Sequence, residues 1–255
     1  METIVIKIGT NILTTPKGKL DLNNLRNLCN QIATLKKDYK IIVVSSGAIT
    51  CGSEYMNIKA NSIPEKQAAA AIGQILLMKE YSLFFNPFSY QIGQILVTKD
   101  GLHDPKRKNN ILNTIKKLVA QNIIPIINEN DSVSTEEIQF GDNDELSSEV
   151  AILVKASKFI ILSDINGVYD KNPHKHKNAK LLTTIKDINN KILNNSEGPS
   201  SKTSKGGMKS KIIAAKKASD HKITTIIANG RKENILIDIT NNNFIGTTIL
   251  HNSTT

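Results

Sequence analysis

Lys7 sits inside Thr3–Ile8 (TIVIKI), a run otherwise built of Thr, Ile and Val, and is followed by Gly9-Thr10. An ammonium buried in such a strand must find an anion, because an unpaired buried charge costs several kcal/mol; the other reading is an edge-strand lysine snorkelling to water. A second cationic set is Lys205-Gly206-Gly207-Met208-Lys209-Ser210-Lys211. Two glycines opening a helix leave N–H groups free, and the helix dipole favours phosphate there. Lys209 and Lys211 in the first turns oppose that dipole unless an anion arrives. The set is not a P-loop, since G-x-x-x-x-G-K-[ST] is absent from the chain.

Two polar clusters complement these lysines. Asn128-Glu129-Asn130-Asp131 follows the apolar run Ile123–Ile127, and Gly141-Asp142-Asn143-Asp144-Glu145 stands at a helix start. Asp and Asn at a helix start are ordinary caps. Together the two clusters could instead bind the ammonium and carboxylate of a small zwitterion, or orient lysines. Ser45-Ser46-Gly47-Ala48 closes another apolar run and reads as an anion nest of backbone N–H groups, or as a serine-capped turn into a helix.

Other chemistry finds less support. His174 and His176 lie in a basic loop (PHKHK) and read as a solvated pair rather than a metal site. Cys51 has no adjacent base in sequence and reads as a small buried thiol. No D-x-[DN]-x-[DN]-G spacing with a distal Glu provides a calcium loop. With 33 Lys+Arg against 23 Asp+Glu the chain carries +10, which suits nucleic acid or small anionic substrates. No block of five consecutive cations occurs, and aromatics make up only 4%, too few for base stacking, so nucleic acid is the weaker reading.

The elements that must position these residues alternate. Strands are expected at Thr3–Ile8, Ile41–Ser45, 90–97, Ile123–Ile127, Lys158–Leu162, Ile223–Ala228, 234–239 and 247–250. Helices are expected from Asp21 to about Tyr39, from Pro64 to about Phe85, from Pro105 to Gln121, over 144–156 and from Gly206 to about His221. Residues 165–205 read as a polar excursion with a short helix. At 255 residues and 39% hydrophobic the chain is long enough for a self-supporting core. No uninterrupted apolar run approaches the roughly 18–20 residues of a membrane span. METIVIKIGT is not a secretory signal, and a cytoplasmic protein is expected. Apolar strands alternating with helices imply a largely parallel sheet covered on both faces, with ligands beyond the strands' carboxyl ends.

These clusters, in order, resemble the amino acid kinase family. The carrying motifs are KIGTNIL (Lys7–Leu13), VSSGAI (Val44–Ile49), IGQ (Ile72–Gln74 and again Ile92–Gln94), IPIINEND (Ile124–Asp131), FGDND (Phe140–Asp144), SDINGVY (Ser163–Tyr169), GGMKSK (Gly206–Lys211) and GTTIL (Gly246–Leu250). The resemblance covers nearly the whole chain, and its NEND…GDND pair marks the branch acting on L-glutamate.

It implies an α/β fold, a three-layer αβα sandwich with a mainly parallel central sheet, as one kinase domain over 1–255 without the C-terminal PUA domain of many relatives. It also implies ATP-dependent phosphorylation of the glutamate side-chain carboxylate with Mg²⁺, the first step of proline biosynthesis. Proline is then the expected feedback inhibitor and a dimer or tetramer the expected assembly. By position, Lys7 and Lys211 match the lysines contacting the transferred phosphoryl group, and Asp144 matches the carboxylate orienting them. Ser46, Asp131 and Asn143 match the glutamate-binding positions. Lys7, Ser163, Asp164 and Lys205, Gly206, Gly207, Met208, Lys209, Ser210 and Lys211 match the nucleotide site. Two positions depart from the pattern: Lys205 stands where a small residue precedes GGM, and Gln139 where lysine is frequent. Acetylglutamate, aspartate and carbamate kinases share the fold, and a non-catalytic basic nucleic-acid-binding protein is the rival from another class.

Overall fold

The computed structural model describes residues 1–133, 143–173, 175–189, 192–193 and 207–251. In chain order the elements are β1 (Thr3–Ile8), α1 (Thr10–Leu13), α2 (Leu22–Leu35), β2 (Lys40–Val44), α3 (Ala48–Tyr55), α4 (Ile63–Phe85), β3 (Ile92–Val97), α5 (Lys99–His103) and α6 (Pro105–Ala120). There follow β4 (Ile124–Glu129), α7 (Asn143–Leu153), β5 (Lys158–Ser163), β6 (Thr184–Ile185), α8 (Met208–Ser219), β7 (Thr224–Asn229), α9 (Ile235–Thr240) and β8 (Gly246–Ile249).

The eight strands form one sheet in the order β3-β4-β2-β1-β5-β7-β8-β6. Every neighbouring pair is parallel except β7 and β8. The expected α/β fold, layered on both faces of a mainly parallel sheet, is the one observed. β1 lies in the middle, paired with β2 on one side and β5 on the other. Its side chains alternate between faces, as a strand's period of two requires. Ile4, Ile6 and Ile8 join Leu25, Leu28 and Ile32 of α2 in one core. Val5 joins Val150 of α7 and Ala215 of α8 in the other. Lys7 has the same parity as Val5, so it belongs to the face that α7 and α8 cover.

Local signals set most boundaries. Asp21 caps α2 by accepting the Asn24 N–H. Ser62 and Glu65 form a reciprocal capping box at α4, and Asp104 caps α6. At α3 the cap is Gly47 rather than a serine, with φ +87° and no side-chain cap bond. That left-handed conformation favours glycine. The segment 234–239, expected as a strand, is the helix α9. Ile235, Leu236 and Ile239 are buried in the core that α2 helps build, and the Leu236 N–H donates to Gln31 Oε1 at 2.8 Å. Tertiary packing thus overrides the strand propensity of alternating Ile residues. In the polar excursion the described residues form the two-residue strand β6, paired with β8, and only residues 192–193 are helical.

The stretch Ile63–Phe88 is long and apolar enough to cross a membrane by length and composition, although no uninterrupted apolar run suggested it. It contains Glu65, Lys66, Lys79 and Glu80, and α4 buries Ala69, Ala70, Leu77, Tyr81 and Phe85 against the rest of the fold. A Cβ on Gly73 would lie 1.8 Å from the Ala48 carbonyl oxygen, and one on Gly52 would lie 1.7 Å from that of Ala69. Helices α3 and α4 therefore touch backbone to backbone, as a packed core helix does.

Candidate active site

The carboxyl ends of β1, β2, β4 and β5 face one side, and the sequence-selected residues gather there. Lys7, one residue before the end of β1, is 4% exposed, and Lys211, in the second turn of α8, is 7% exposed. Both reach Asp144, which is fully buried in the first turn of α7. Lys7 Nζ lies 2.6 Å from Asp144 Oδ1, and Lys211 Nζ lies 2.9 Å from Oδ2. Ser210 Oγ donates to the same Oδ2 at 2.8 Å. Two lysines from opposite ends of the chain thus converge on one carboxylate.

The electrostatics follow from this geometry. Burial by itself would push the Asp144 carboxyl up, but the Lys7 and Lys211 ammoniums outweigh it and hold the group well below the usual carboxylate range. Asp144 is therefore ionised at neutral pH, and two cations sharing one anion leave the cluster with one uncompensated positive charge. In a buried place that surplus attracts another anion. The positive charge of Lys211 near a helix N-terminus is resolved by the protein's own carboxylate.

The flanking residues shape the phosphate side. A Cβ at Gly9 would lie 3.3 Å from the Leu162 carbonyl oxygen and 3.6 Å from Lys7 Nζ, so glycine leaves the ammonium clear. Asn11 of α1 donates through Nδ2 to Asp164 Oδ2 at 2.8 Å, tying α1 to the loop after β5. Ser163, at the end of β5, donates to Asp164 Oδ1 at 3.3 Å. Arg231, beyond β7, clamps α1 from behind through Asp21 Oδ2 and the carbonyls of Asn11 and Thr14. Gly207 caps α8 and its carbonyl accepts from Ser210 Oγ at 2.8 Å. Met208 packs on the core, whereas the Lys209 side chain is exposed, unlike Lys211. Lys205 and Gly206 lie outside the described residues, as do Gln139, Phe140, Gly141 and Asp142.

The second polar cluster is neutral. Asn143 Nδ2 donates to the Ser45 carbonyl at 2.6 Å and to Asn128 Oδ1 at 2.7 Å. Asn128 Nδ2 donates to Gln74 Oε1 at 2.8 Å. Gln74 then lines a cavity of about 270 Å³ with Ala48, Gln94, Glu129 and Asp131. Ser46 is buried between β2 and α3. Asn143 and Asp131 thus meet through Asn128 and this cavity rather than directly. The motif scan named Asn128 only as part of a cluster and Gln74 only as part of IGQ. Gln74 sits in an Ala-rich helix, where nothing local separates a site residue from a packed one.

Some candidates stay outside the site. Cys51 is buried in α3, and burial first, then the nearby Glu54 charge, push its thiol up to about 12, which makes it inert. Among the described residues no group of three His, Cys, Asp or Glu could hold a metal ion. His174 lies outside the described residues.

Comparison with known proteins agrees with this arrangement. The model of the Amino acid kinase family matches residues 2–229. A glutamate 5-kinase of Clostridium acetobutylicum is 44% identical over 94% of this chain and 91% of its own length. One from Clostridium perfringens is 42% identical over 96% of this chain and 94% of its own. One from Thermoanaerobacter sp. is 42% identical over 97% of this chain but only 67% of its own length. Among solved structures, carbamate kinase from Giardia lamblia bound to AMP-PNP superposes with a TM-score of 0.68 at 16% identity, covering 98% of each chain. UMP kinase from Ureaplasma parvum does so with a TM-score of 0.64 at 18% identity, again over 98% of each. These two establish the fold alone. The chain belongs to the amino acid kinase family, and within it to the glutamate 5-kinase group.

Proposed function

We propose that this protein transfers the γ-phosphoryl group of ATP to the side-chain carboxylate of L-glutamate, giving γ-glutamyl phosphate for proline biosynthesis. The observation that carries this reading is the buried Lys7–Asp144–Lys211 cluster with its net positive charge. A glutamate carboxylate has a pKa of about 4.3 and is its own nucleophile at neutral pH. No general base is required. The obstacle is bringing one anion onto another, so catalysis consists of positioning and charge neutralisation. Lys7 and Lys211 neutralise oxygens of the migrating group, while Asp144 keeps both ammoniums ordered and in reach. Gly9 and the start of α8 leave room for the phosphates. Ser163 and Asp164 lie towards the nucleotide, with Asp164 braced by Asn11.

Asp131 and Glu129 supply acceptors for the substrate ammonium, and Ser46 and Asn143 line the path between the cavity and the lysines. Mg²⁺ belongs on the nucleotide phosphates, because Asp144 is already taken by two ammoniums and the described residues hold no ready-made metal cluster. It would neutralise phosphate charge there. Feedback inhibition by proline and self-association are part of the same reading. The latter draws support from Ile75 and Leu83, exposed on α4 at 72% and 57%.

The test is hydroxylamine trapping with ATP and a panel of acids. An acyl phosphate gives a hydroxamate, so hydroxamate from L-glutamate, and not from aspartate or acetylglutamate, is expected. No product from L-glutamate overturns the proposal. In the same assay Asp131→Ala should raise KM for glutamate about tenfold or more through loss of a charged acceptor, leaving kcat nearly unchanged.

A further inference from the structure

We infer that Gln74 is a specificity-determining residue that donates through Nε2 to the α-carboxylate of the amino-acid substrate. The inference rests on the proposed activity and deepens it. It begins with an orientation problem, since the two ends of an amide side chain are told apart only by their partners. Here two backbone groups settle it. The Ser45 carbonyl can only accept, so the Asn143 nitrogen faces it and also donates to Asn128 Oδ1. The Glu129 N–H can only donate, and it too points at Asn128 Oδ1, at 2.9 Å. Asn128 Nδ2 must then face Gln74, and Gln74 presents Oε1 to it. The Gln74 nitrogen is left at the far end of the chain of amides.

That nitrogen is buried in a residue only 7% exposed and meets no hydrogen-bond partner among the described residues. A buried unpaired donor costs about 1–3 kcal/mol, so it calls for an acceptor from outside. It lines the cavity that also holds Glu129 and Asp131. An NH₂ group can donate but not accept, so it cannot hold the substrate ammonium, a task open to the two carboxylates. It fits an oxygen of the α-carboxylate. The side-chain carboxylate is excluded by position: it must reach Lys7 and Lys211, and two amide side chains, those of Asn143 and Asn128, stand between Asp144 and Gln74. The adjoining Gly73 fixes the donor in place, because its backbone contact with Ala48 pins α4 to α3.

The test uses two substrates in the hydroxamate assay: L-glutamate, and L-isoglutamine, in which a carboxamide replaces the α-carboxylate. Gln74→Glu keeps an acceptor for Asn128 while replacing the donor by an anion. It should lower kcat/KM for glutamate about 10- to 100-fold, mostly through KM, the range for a hydrogen bond to a charged group. Isoglutamine, able to donate to the new carboxylate, should lose little or gain, and KM for ATP should stay within about twofold. Gln74→Met should weaken glutamate more than isoglutamine. Equal losses for both substrates, or no loss, overturn the role of Gln74 while leaving the kinase activity standing; a wild-type protein that makes no glutamyl hydroxamate overturns the activity itself. Should the variants not fold, a crystal structure of the wild-type protein with L-glutamate decides. Nε2 within about 3.2 Å of an α-carboxylate oxygen supports the role, and Nε2 facing water or the side-chain carboxylate overturns it.

Discussion

Two buried polar networks meet at Asn143-Asp144, and they are built on opposite principles. On the Asp144 side the cluster is ionic: two ammoniums share one carboxylate, and a surplus charge remains. On the Asn143 side it is neutral: three amides run in series, each fixed by the last and ultimately by the Ser45 carbonyl and the Glu129 N–H. Charge stands where charge must migrate, because a developing phosphoryl anion responds to net positive potential. Neutral dipoles stand where selection occurs, because an oriented donor rejects an ill-matched group without attracting every anion. Adjacent residues of one helix turn thus serve two different electrostatic tasks.

Breaking the ionic side should give the largest effects. Asp144→Ala leaves two buried ammoniums without a counter-charge and should destabilise the fold by about 3–5 kcal/mol, lowering Tm by roughly 10 °C for a chain of this size in a thermal scan. Lys7→Met should do the reverse. The remaining Asp144–Lys211 pair is balanced, so Tm should change little, while kcat should fall on the order of 10²-fold or more by analogy with loss of one preorganised donor. A Lys7→Met enzyme with near-normal turnover would remove Lys7 from the reaction.

Acid acts on the same cluster without mutation. Because the Asp144 carboxyl is held below its ordinary value by the ammoniums, its contribution to stability is complete above about pH 4 and is lost as pH falls towards the lowered value. Denaturation followed by circular dichroism should show this loss in the wild type below about pH 4 and not in Asp144→Asn. The neutral side should give smaller, pH-independent effects. Asn128→Leu unpairs Gln74 Oε1 and one donor of Asn143, so KM for glutamate should rise about tenfold, with stability reduced by about 1–3 kcal/mol. An acid-dependent change in this variant would blur the distinction between the two networks.

The ionic side was largely legible in the sequence. A lysine inside TIVIKI stands out because its neighbours demand burial, and its parity with Val5 already assigns it to one face of the sheet. Lys211 followed from its glycine-led helix start, and Asp144 from the resemblance of GDND. The neutral side was much less visible. Asn128 and Asn143 are ordinary end-of-element residues by local rules, and Gln74 is a helix interior residue with no local mark. The helix α9 misled the periodicity reading for a related reason. Ile235, Leu236 and Ile239 find their burial in the core shared with α2, a partner that strand propensity does not represent.

Residue type, spacing and order therefore determined the parallel layered sheet, the kinase family and the two lysines, because alternation and buried charge leave a trace in one dimension. Only the folded chain decided that both lysines share one carboxylate and that the Gln74 nitrogen is left over. Those facts depend on which atom of a side chain faces which neighbour across 54 to 204 positions of sequence, and hydrogen-bond direction is fixed by contact alone.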